Sequence, residues 1–365
     1  MKKNKFLTIF PLTENIHLTK DVGQIPFVFN KEFNFESTIA TYKNDNINYI
    51  QNDIPGVKFI FINKIFKSEN LNILFFILMN FWKFNIIQFY HISITKMLIG
   101  ILYKILFFGK SKVFIKMDAN SLLLEDSTWN FIRTNLYRIL TKFINVISVE
   151  NTIFYKFLLN KIKLNNIFLL PNGYLPVQEE HRKIYEKSNI FISVGRLGDE
   201  NKAHHIAIKA FKLFYDENKN WKLILIGPIA NDFLSYYNKF LKENPQLNDK
   251  IILTGSINNR EKINEYYRKA KILLLTSISE GFPLVFAEAI SNSCLIISSE
   301  LPCAYDVTNN ATFGAIFKQL DEKDLFEKMK DVEKKTDVIY TNDYLVFKNR
   351  YNWINLLKEI YLKLK

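Results

Sequence analysis

The sequence predicts an α/β protein with two successive doubly wound domains, whose ligand sites face a shared cleft. Apolar runs of strand length alternate with helix-like stretches along most of the chain, which is typical of parallel sheets covered by helices. The 365 residues, 48% of them hydrophobic, suffice for two separate cores. Near Pro171–Lys187 a turn leads into a polar stretch without apolar periodicity, so the two domains are expected to join there.

The first half is predicted to contain six strands with helices between them. The strands are Phe6–Phe10, Val57–Ile62, Ile86–Tyr90, Val113–Met117, Asn145–Val149 and Ile167–Leu170. The helices include Leu71–Lys83, Thr95–Phe108 and Trp129–Phe143. Residues 1–180 are therefore assigned to a first Rossmann-like domain.

The second half repeats this alternation. Its predicted strands are Ile190–Val194, Trp221–Ile226, Ile251–Thr254, Lys271–Thr276 and Leu295–Ser298. Its predicted helices include His205–Asp216, Arg260–Ala270 and Pro283–Ser291. Residues 181–344 are assigned to a second domain. The last segment, Asn342–Lys365, is predicted to be one long amphipathic helix whose end, about 345–365, can pack back on the first domain.

Positive charge is concentrated in the first half of the chain. The formal net charge is +13, of which residues 1–175 carry +10 and residues 176–365 carry +3. A coding bias toward Lys, Asn and Ile explains this as well as a function does. The functional explanation is an anionic partner, either a membrane surface or a phosphate-linked lipid acceptor. No nucleic-acid partner is expected, because no helix-turn-helix, zinc-finger or RNA-recognition signature is present.

Cysteine usage and hydropathy favour a cytoplasmic protein. Cys294 and Cys303 are interpreted as two reduced thiols, and the N-terminal residues do not resemble a signal peptide. The most apolar run, Leu71–Trp82, lies within 13 uncharged residues between Glu69 and Lys83, whereas about 20 are needed to cross a bilayer. A buried or interfacial helix is predicted there.

The segment Lys271–Ile290 carries the strongest functional pattern, which is a buried strand, a short loop and a helix. The loop holds Glu280 and Gly281, and Pro283 occupies a first-turn position of the helix. Free N–H groups at the start of such a helix suit a diphosphate. Glu280 precedes the helix and Glu288 lies about one and a half turns inside it, so two carboxylates are available for sugar hydroxyls.

A second pattern lies in Ile192–Phe211, where a strand ends at a glycine and two cations follow. Arg196 and Lys202 fall in the turn and the helix entry, where they would neutralise a leaving nucleotide beside the diphosphate site. The adjacent His204 and His205 do not face one direction on a helix, so they are interpreted as structural, and no metal site is predicted.

Taken in order, these motifs resemble the donor domain of family 4 glycosyltransferases, which have the GT-B fold. Four features match: the GRL…K segment with Gly195, Arg196, Leu197 and Lys202, the strand before Gly227, the strand before Gly255, and the E-x7-E pair of Glu280 and Glu288. The likeness covers residues 188–310, and the upstream Pro171–Gly173 turn and Lys20–Pro26 loop also resemble family features. An E-x7-E pair is common by itself, so the ordered set carries the resemblance.

The resemblance implies roles for the matching residues. Arg196 and Lys202 would hold the donor diphosphate, Glu280 would bind hydroxyls of the transferred sugar, and Glu288 would bind the ribose. The remaining donor contacts would come from the backbone of Gly281, Phe282, Pro283 and Leu284, and from Ile257 near the base. The donor would be a UDP- or GDP-linked sugar used as a co-substrate, and no cofactor is implied.

The first domain would supply the acceptor side. Gly23, in the first strand–helix loop, would let the backbone approach the donor phosphate. The family often has a His at the end of a first-domain strand, where the aligned stretch here offers Asp118. Asp118 would position a sugar hydroxyl or stabilise a cationic transition state, although a helix N-cap or another structural role stays open for it. His91, at the end of another strand, is the second candidate.

The resemblance therefore implies a retaining hexosyltransferase that acts on a glycan or lipid-linked acceptor in bacterial cell-envelope synthesis, such as lipopolysaccharide or capsule. The cations and helix amides would take up the charge of the leaving diphosphate, so no divalent ion is needed. The enzyme would bind peripherally to the inner face of the cytoplasmic membrane. The alternatives are a GT-B nucleotide-sugar epimerase, a basic nucleic-acid-binding protein and a catalytically inactive scaffold.

Overall fold

The computed structural model describes residues 3–43, 54–117, 129–176 and 186–365. The chain divides into two compact units. Met1–Leu175 and Asn352–Lys365 form the first unit, and Pro176–Tyr351 forms the second. Within the described ranges, no helix is both long enough and apolar enough to span a bilayer.

The first unit is built on a sheet of seven strands. They are β1 (Lys5–Ile9), β2 (Glu36–Tyr42), β3 (Lys58–Ile62), β4 (Ile86–Tyr90), β5 (Lys112–Lys116), β6 (Val146–Val149) and β7 (Ile167–Leu169). Their order is β3-β2-β1-β4-β5-β6-β7, and all neighbours pair in parallel. The order reverses between β1 and β4, which is where open α/β sheets hold their ligands.

The second unit is built on a sheet of six strands. They are β8 (Ser188–Val194), β9 (Lys222–Ile226), β10 (Ile251–Leu253), β11 (Ala270–Leu275), β12 (Leu295–Ser299) and β13 (Gly314–Phe317). Their order is β10-β9-β8-β11-β12-β13, again with parallel pairing. Here the order reverses between β8 and β11, so the ends of these two strands are the expected ligand edge.

Helices cover both sheets. In the first unit they are α1 (Asn15–Leu18), α2 (Asp21–Lys31), α3 (Glu69–Leu78), α4 (Ile94–Leu106), α5 (Phe131–Thr141) and α6 (Thr152–Phe157). In the second unit they are α7 (His204–Glu217), α8 (Asn231–Glu243), α9 (Arg260–Lys269), α10 (Leu284–Ser291), α11 (Ala304–Val307), α12 (Glu322–Glu333) and α13 (Asn342–Asn349). The final helix, α14 (Trp353–Leu364), belongs to the first unit. Shorter turns are the 3-10 segments Phe81–Lys83, Glu200–Lys202, Pro245–Leu247 and Thr336–Tyr340 and the π turn Leu158–Ile162.

Alternating side chains of the first sheet build two apolar cores. On one side, Leu7 and its neighbours pack with residues of α3, α4 and α5, including Phe76. On the other side, Phe6 packs with α2 and α14, and its ring stacks on Phe29 at 4.5 Å between centroids. The first sheet is therefore covered on both faces, as the period of two along each strand requires.

The prediction of one helix over Asn342–Lys365 is wrong, because the chain breaks between α13 and α14. The backbone N–H of Trp353 donates to the carbonyl of Tyr174 at 3.0 Å, whereas a continuous helix would require a bond to the preceding turn. The side chain of Asn352 caps α14 by accepting a backbone N–H of its first turn. The break lets the apolar side of α14 enter the core of the first unit.

Two strands, β2 and β13, were not predicted. Strand β2 contains three buried polar residues, Ser37, Thr38 and Thr41. Because these residue types are polar, the sequence of β2 does not show the apolar run expected of an interior strand. Strand β13 begins at Gly314, where an added Cβ would lie 1.9 Å from the carbonyl oxygen of Ile296. A glycine that close strand packing requires cannot be told from a loop glycine in a sequence, and the sequence analysis assigned no element there.

Candidate active site

Glycines bring three strand ends of the second unit close together. The N–H of Gly195, after β8, donates to the end of β9, and the N–H of Gly227 donates to the carbonyl of Gly255 at 3.1 Å. Gly227 has a φ of +147°, and a Cβ there would lie 1.8 Å from the Gly195 oxygen. Only glycine permits this approach. Ile257 follows in the segment between β10 and α9 and is half-buried.

Asn201 fastens the turn after β8 to the loop after β11. Its side-chain amide donates to the carbonyl of Ser279 at 2.9 Å and accepts the N–H of Ser279 at 2.9 Å. Its own carbonyl accepts the N–H of Ile278 at 2.8 Å. A fourth bond runs from the hydroxyl of Thr276 to the carbonyl of Lys202 at 2.7 Å. The two predicted motifs are therefore one rigid structure at the carboxyl edge of the sheet.

This connection brings Lys202 and Glu280 into direct contact. The ammonium of Lys202 forms an ion pair with the Glu280 carboxylate, and the side chains are only 19% and 17% exposed. The stem of Lys202 passes close to Gly195, where a Cβ would lie 3.7 Å from the lysine Cδ. A cation and a carboxylate predicted separately, 78 residues apart in sequence, thus form a single charged pair.

Arg196 lies in the same turn but is held differently. Its guanidinium pairs with Asp199 at 2.6 Å, and its side chain is 73% exposed. The other carboxylate oxygen of Asp199 accepts the N–H of Asn201 at 3.0 Å, so Asp199 connects the arginine to the turn. Arg196 therefore lies at the edge of the site and is held by Asp199, whereas Lys202 pairs with Glu280. Its exposure leaves the guanidinium room to reorient.

The start of α10 is the predicted anion-binding feature. Pro283 has φ −65° and ψ 138°, so it is the N-cap residue and the expected first-turn position is wrong by one residue. Phe282 is buried and packs against Phe286 and Tyr351, so only its backbone can face a ligand. The first N–H groups of the helix, which begins at Leu284, carry its positive dipole end. Gly281 precedes them in the half-buried loop.

Glu288 is anchored from α9 on the inner side of α10. One of its oxygens accepts the hydroxyl of Tyr267 at 3.0 Å, and the other pairs with Arg260 at 3.2 Å. Burial, followed by the charge of Glu288, raises the pKa of Tyr267 well above its usual range, so the phenol stays a proton donor. Glu288 is thus oriented rather than freely solvated, and each oxygen retains a lone pair for a further donor.

His204 begins α7 beside this site and is buried. Burial and then the charge of Lys202 lower the pKa of His204 to about 4, so its ring is neutral at physiological pH. The ring packs against Phe233. Across the described ranges, no group of three or more His, Cys, Asp or Glu residues is arranged to hold a metal ion.

The first-unit candidates have different outcomes. The predicted loop at Gly23 is wrong, because Gly23 lies in the first turn of α2, where a Cβ would lie 2.1 Å from the carbonyl oxygen of Leu18. Tight packing of α2 on α1 therefore explains this glycine. Asp118 lies outside the described residues. His91 ends β4 with a left-handed φ of +58°, and its N–H donates to the carbonyl of Lys116 at 2.9 Å.

The sequence analysis missed a buried charged cluster at the carboxyl edge of the first sheet. Lys116, which is fully buried, pairs with Asp21 at 2.9 Å and with Glu150 at 2.8 Å. Asp21 begins α2 and Glu150 follows β6, so the cluster joins three strand–helix connections. Lys116 and Glu150 lie at the ends of predicted strands, which is the signal that could have identified them, whereas Asp21 lies eleven residues after the first predicted strand. The sequence analysis also missed Asn201, Tyr267 and Arg260, because no comparable pattern in the sequence marks them.

Comparison with known proteins finds a family model that matches most of the second unit. Residues 176–345 match the family model described as glycosyl transferases group 1. An α-1,4-N-acetyl-D-galactosaminyltransferase of Campylobacter jejuni, which acts on GalNAc-α-(1→4)-GalNAc-α-(1→3)-diNAcBac-PP-undecaprenol, is 25% identical over 264 residues. That alignment covers 69% of this chain and 69% of the relative.

Two solved structures share the fold over the full chain. A glycosyltransferase from Rickettsia africae is similar with a TM-score of 0.72 and 15% identity, covering 100% of this chain and 99% of the other. Anabaena HepE, solved in complex with UDP, has a TM-score of 0.69 and 13% identity, with the same coverage. At these identities the likeness shows the fold alone.

Fold, strand-edge site and family model together define a glycosyltransferase. The second unit is similar to the glycosyl transferases group 1 family, whose model matches residues 176–345. The predicted fold class, two Rossmann-like doubly wound domains, is confirmed, and so is the prediction of a glycosyltransferase enzyme.

Proposed function

We propose that this chain is a retaining hexosyltransferase of glycosyltransferase family 4 with an E-x7-E donor site. It would transfer a sugar from a UDP- or GDP-linked donor to a lipid-linked glycan in bacterial cell-envelope polysaccharide synthesis. The observation that carries the proposal is the Lys202–Glu280 pair, held at the sheet edge by Asn201. The family match supports the donor chemistry, and the acceptor of the Campylobacter relative supports the acceptor class.

The charged pair suggests how a donor is recognised. A donor diphosphate competes with Glu280 for the ammonium of Lys202, because phosphate oxygens form charge-assisted hydrogen bonds of the same kind. The displaced Glu280 carboxylate can then accept hydroxyls of the sugar. Arg196 can exchange Asp199 for the second phosphate, since most of its side chain is exposed. The N–H groups at the start of α10 complete the anion site.

Glu288 is suited to the nucleoside. Its carboxylate is oriented by Tyr267 and Arg260, so ribose hydroxyls meet acceptors that are already in position. Ile257, after β10, would lie near the base. In this arrangement Glu280 binds the transferred sugar and Glu288 binds the ribose.

Retention follows from attack on the face from which the diphosphate leaves. The bond between the anomeric carbon and the phosphate oxygen breaks, the acceptor oxygen bonds to that carbon, and the departing phosphate oxygen takes the acceptor proton. No protein nucleophile takes part. The cations and the helix dipole offset the charge that grows on the diphosphate, so the proposed reaction requires neither a cofactor nor a divalent ion.

The acceptor class implies a place of action. A lipid-linked glycan stays in a bilayer, so the enzyme would work peripherally at the anionic inner face of the cytoplasmic membrane. The +10 charge of residues 1–175 supports this location.

The test is incubation with UDP- and GDP-hexoses and a set of polyprenyl-diphosphate-linked glycans, with the anomeric configuration of the product read by NMR. Transfer with retention is expected, it should persist in EDTA, and Arg196→Ala should reduce it about a hundredfold or more. Arg350→Ala, an exposed arginine of the same unit, is the control and should be unaffected. Inversion, a strict Mn²⁺ or Mg²⁺ requirement, or donor interconversion without an acceptor would each contradict the proposal, and the last would indicate an epimerase.

A further inference from the structure

Three helices of the first unit expose apolar side chains toward solvent. We define the apolar face as six residues, namely Leu71 and Phe75 of α3, Leu98 and Ile105 of α4, and Phe131 and Ile132 of α5. All six are exposed, with Phe131 at 83% and Ile132 at 77%. Burial of such side chains stabilises a protein, so six of them left in water are an unused source of binding free energy.

The six residues lie on one side of the unit. Helix α3 contacts α4, and α4 contacts α5. Their opposite sides, represented by Ile73, Tyr103 and Leu140, are buried together against the sheet. The exposed residues of these neighbouring helices therefore lie on the outer side of one helix layer.

A helix of the second unit shows the usual polarity for comparison. The exposed residues of α7 are His205, Lys209, Asp216, Glu217 and a single apolar residue, Leu213. Outward positions of a helix in a water-soluble layer are normally polar in this way. An extended apolar surface marks contact with a partner.

The chain around the apolar face is strongly basic. Residues 54–163 contain fifteen Lys and Arg residues and five Asp and Glu residues, which include Glu69 and Glu150. Glu150 is buried against Lys116. Burial, followed by the positive charge of Lys112, lowers the pKa of Lys104. The surface therefore combines exposed apolar side chains with unbalanced positive charge.

A basic cavity borders the end of α5. Its volume is about 450 Å³, and Arg138, Lys142 and Lys163 contribute to its wall. Arg138 is held there by donation to the carbonyl of Ile162 at 2.7 Å. The exposed Ile139 lies between Arg138 and Lys142 in the sequence, so an exposed apolar residue of α5 lies close in sequence to two cations of the cavity.

We propose that the apolar face docks on an anionic phospholipid bilayer, with its apolar side chains at the acyl–headgroup boundary and the cations of the bordering cavity on lipid phosphates. Apolar insertion combined with basic residues is the chemistry of surface-bound helices. A second copy of the chain fits less well, because symmetric contact would place two positively charged borders together. The bilayer as location of the acceptor rests on the proposed function, but the docking itself does not.

The apolar part is tested by flotation of the full chain with phosphatidylcholine vesicles containing about 30% phosphatidylglycerol, without donor or acceptor. The variant is Phe131→Ser with Ile132→Asn, and the partition coefficient should fall about tenfold or more. The matched control is Leu345→Ser with Val346→Asn, an adjacent pair of exposed apolar residues on α13 of the second unit. That control should bind like the unmodified chain.

The electrostatic part uses Lys142→Glu with Lys163→Glu at the cavity. Binding to the anionic vesicles should fall about tenfold at low salt, whereas Lys209→Glu with Lys239→Glu on the second unit should leave binding unchanged. High salt should weaken binding of the unmodified chain. Equal loss in the cavity variant and its control would overturn the assignment of the phosphate site.

Two further outcomes would overturn the proposal. One is failure of the unmodified chain to bind anionic vesicles at low salt. The other is a concentration-dependent dimer in sedimentation that the Phe131/Ile132 variant abolishes. A thermal shift with UDP- and GDP-hexoses, measured on the same variants, distinguishes these failures from failure of the proposed function, because donor binding resides in the second unit.

Discussion

At the residue scale, the proposed function makes the Lys202–Glu280 pair the first contact of the donor diphosphate. Both side chains are mostly shielded from water, so each charge strongly affects the other. In Lys202→Ala the diphosphate loses a cation and also meets an unneutralised carboxylate. We expect kcat/KM for the donor to fall about 10²–10³-fold, measured by steady-state kinetics. We expect the donor Kd to rise about tenfold or more, measured by calorimetry.

The control for Lys202→Ala is Lys209→Ala, because Lys209 is an exposed lysine of the following helix. It should retain the unmodified kinetics. Lys202→Arg should recover part of the activity, since it restores the charge with different geometry. Unchanged donor affinity in Lys202→Ala would contradict the assigned role.

His204 makes stability depend on pH. The pKa of His204 is about 4 in the folded chain, whereas an unperturbed histidine has a pKa of 6.5. Between these two pH values the unfolded chain binds a proton that the folded chain does not. The contribution of His204 to the free energy of unfolding is complete above pH 6.5 and is lost as the pH falls toward 4. Its size is roughly 3 kcal/mol. Urea unfolding across this range should show the loss.

The variant His204→Asn isolates this effect. Its unfolding free energy should fall less steeply between pH 6.5 and 4 than that of the unmodified chain, because the group that titrates is absent. His205→Asn is the comparison, since His205 is exposed and should contribute a smaller slope. Parallel curves for the unmodified chain and His204→Asn would refute the assignment.

At the scale of elements, Asn201 is the link between two strand ends. Its side chain forms two hydrogen bonds to Ser279, so Asn201→Ala frees the Glu280 loop from the Lys202 turn. Misplacement by about 1 Å can reduce a rate about 10²-fold, and we expect kcat/KM to fall by 10- to 100-fold in this variant. Asn201 is a positioning residue, so kcat should fall more than donor affinity, which kinetics and calorimetry can separate.

Asn238→Ala provides the control for Asn201, because Asn238 is an exposed asparagine on α8. Asn201→Asp keeps the acceptor for the Ser279 N–H and loses the donor, so it should lie between the alanine variant and the unmodified chain. If Asn201→Ala changed only the melting temperature, Asn201 would be merely structural.

Secondary-structure elements could be predicted where a single apolar pattern in the sequence determines their type and bounds. Strands such as β4 and β11 are central and buried, so their apolar runs coincide with the observed bounds to within a residue. Strand β2 was missed because its buried Ser and Thr residues interrupt the apolar run that would indicate a strand. The break before α14 could not be predicted, because the partner of the Trp353 N–H is Tyr174, far away in sequence.

At the scale of the whole molecule, the sequence revealed which charged residues exist, but it did not reveal which apolar residues remain exposed to solvent. Lys202 and Glu280 were identifiable because each follows a strand, whereas Asn201 acts through a loop 78 residues away. The apolar run Leu71–Trp82 was expected to be buried or interfacial, and α3 in fact has both a buried and an exposed apolar side. Periodicity finds a helix but does not determine how much of its surface a neighbour covers.

The return of α14 to the first unit separates the order of synthesis from the order of folding. Trp353, Leu357 and Ile360 fill a core whose other residues leave the ribosome before the entire second unit is made. The core of the first unit is therefore complete only once α14 has been synthesised. A nascent chain stalled after Tyr351 would leave the apolar residues that pack against α14 uncovered, although most of the first unit's sequence had already been translated.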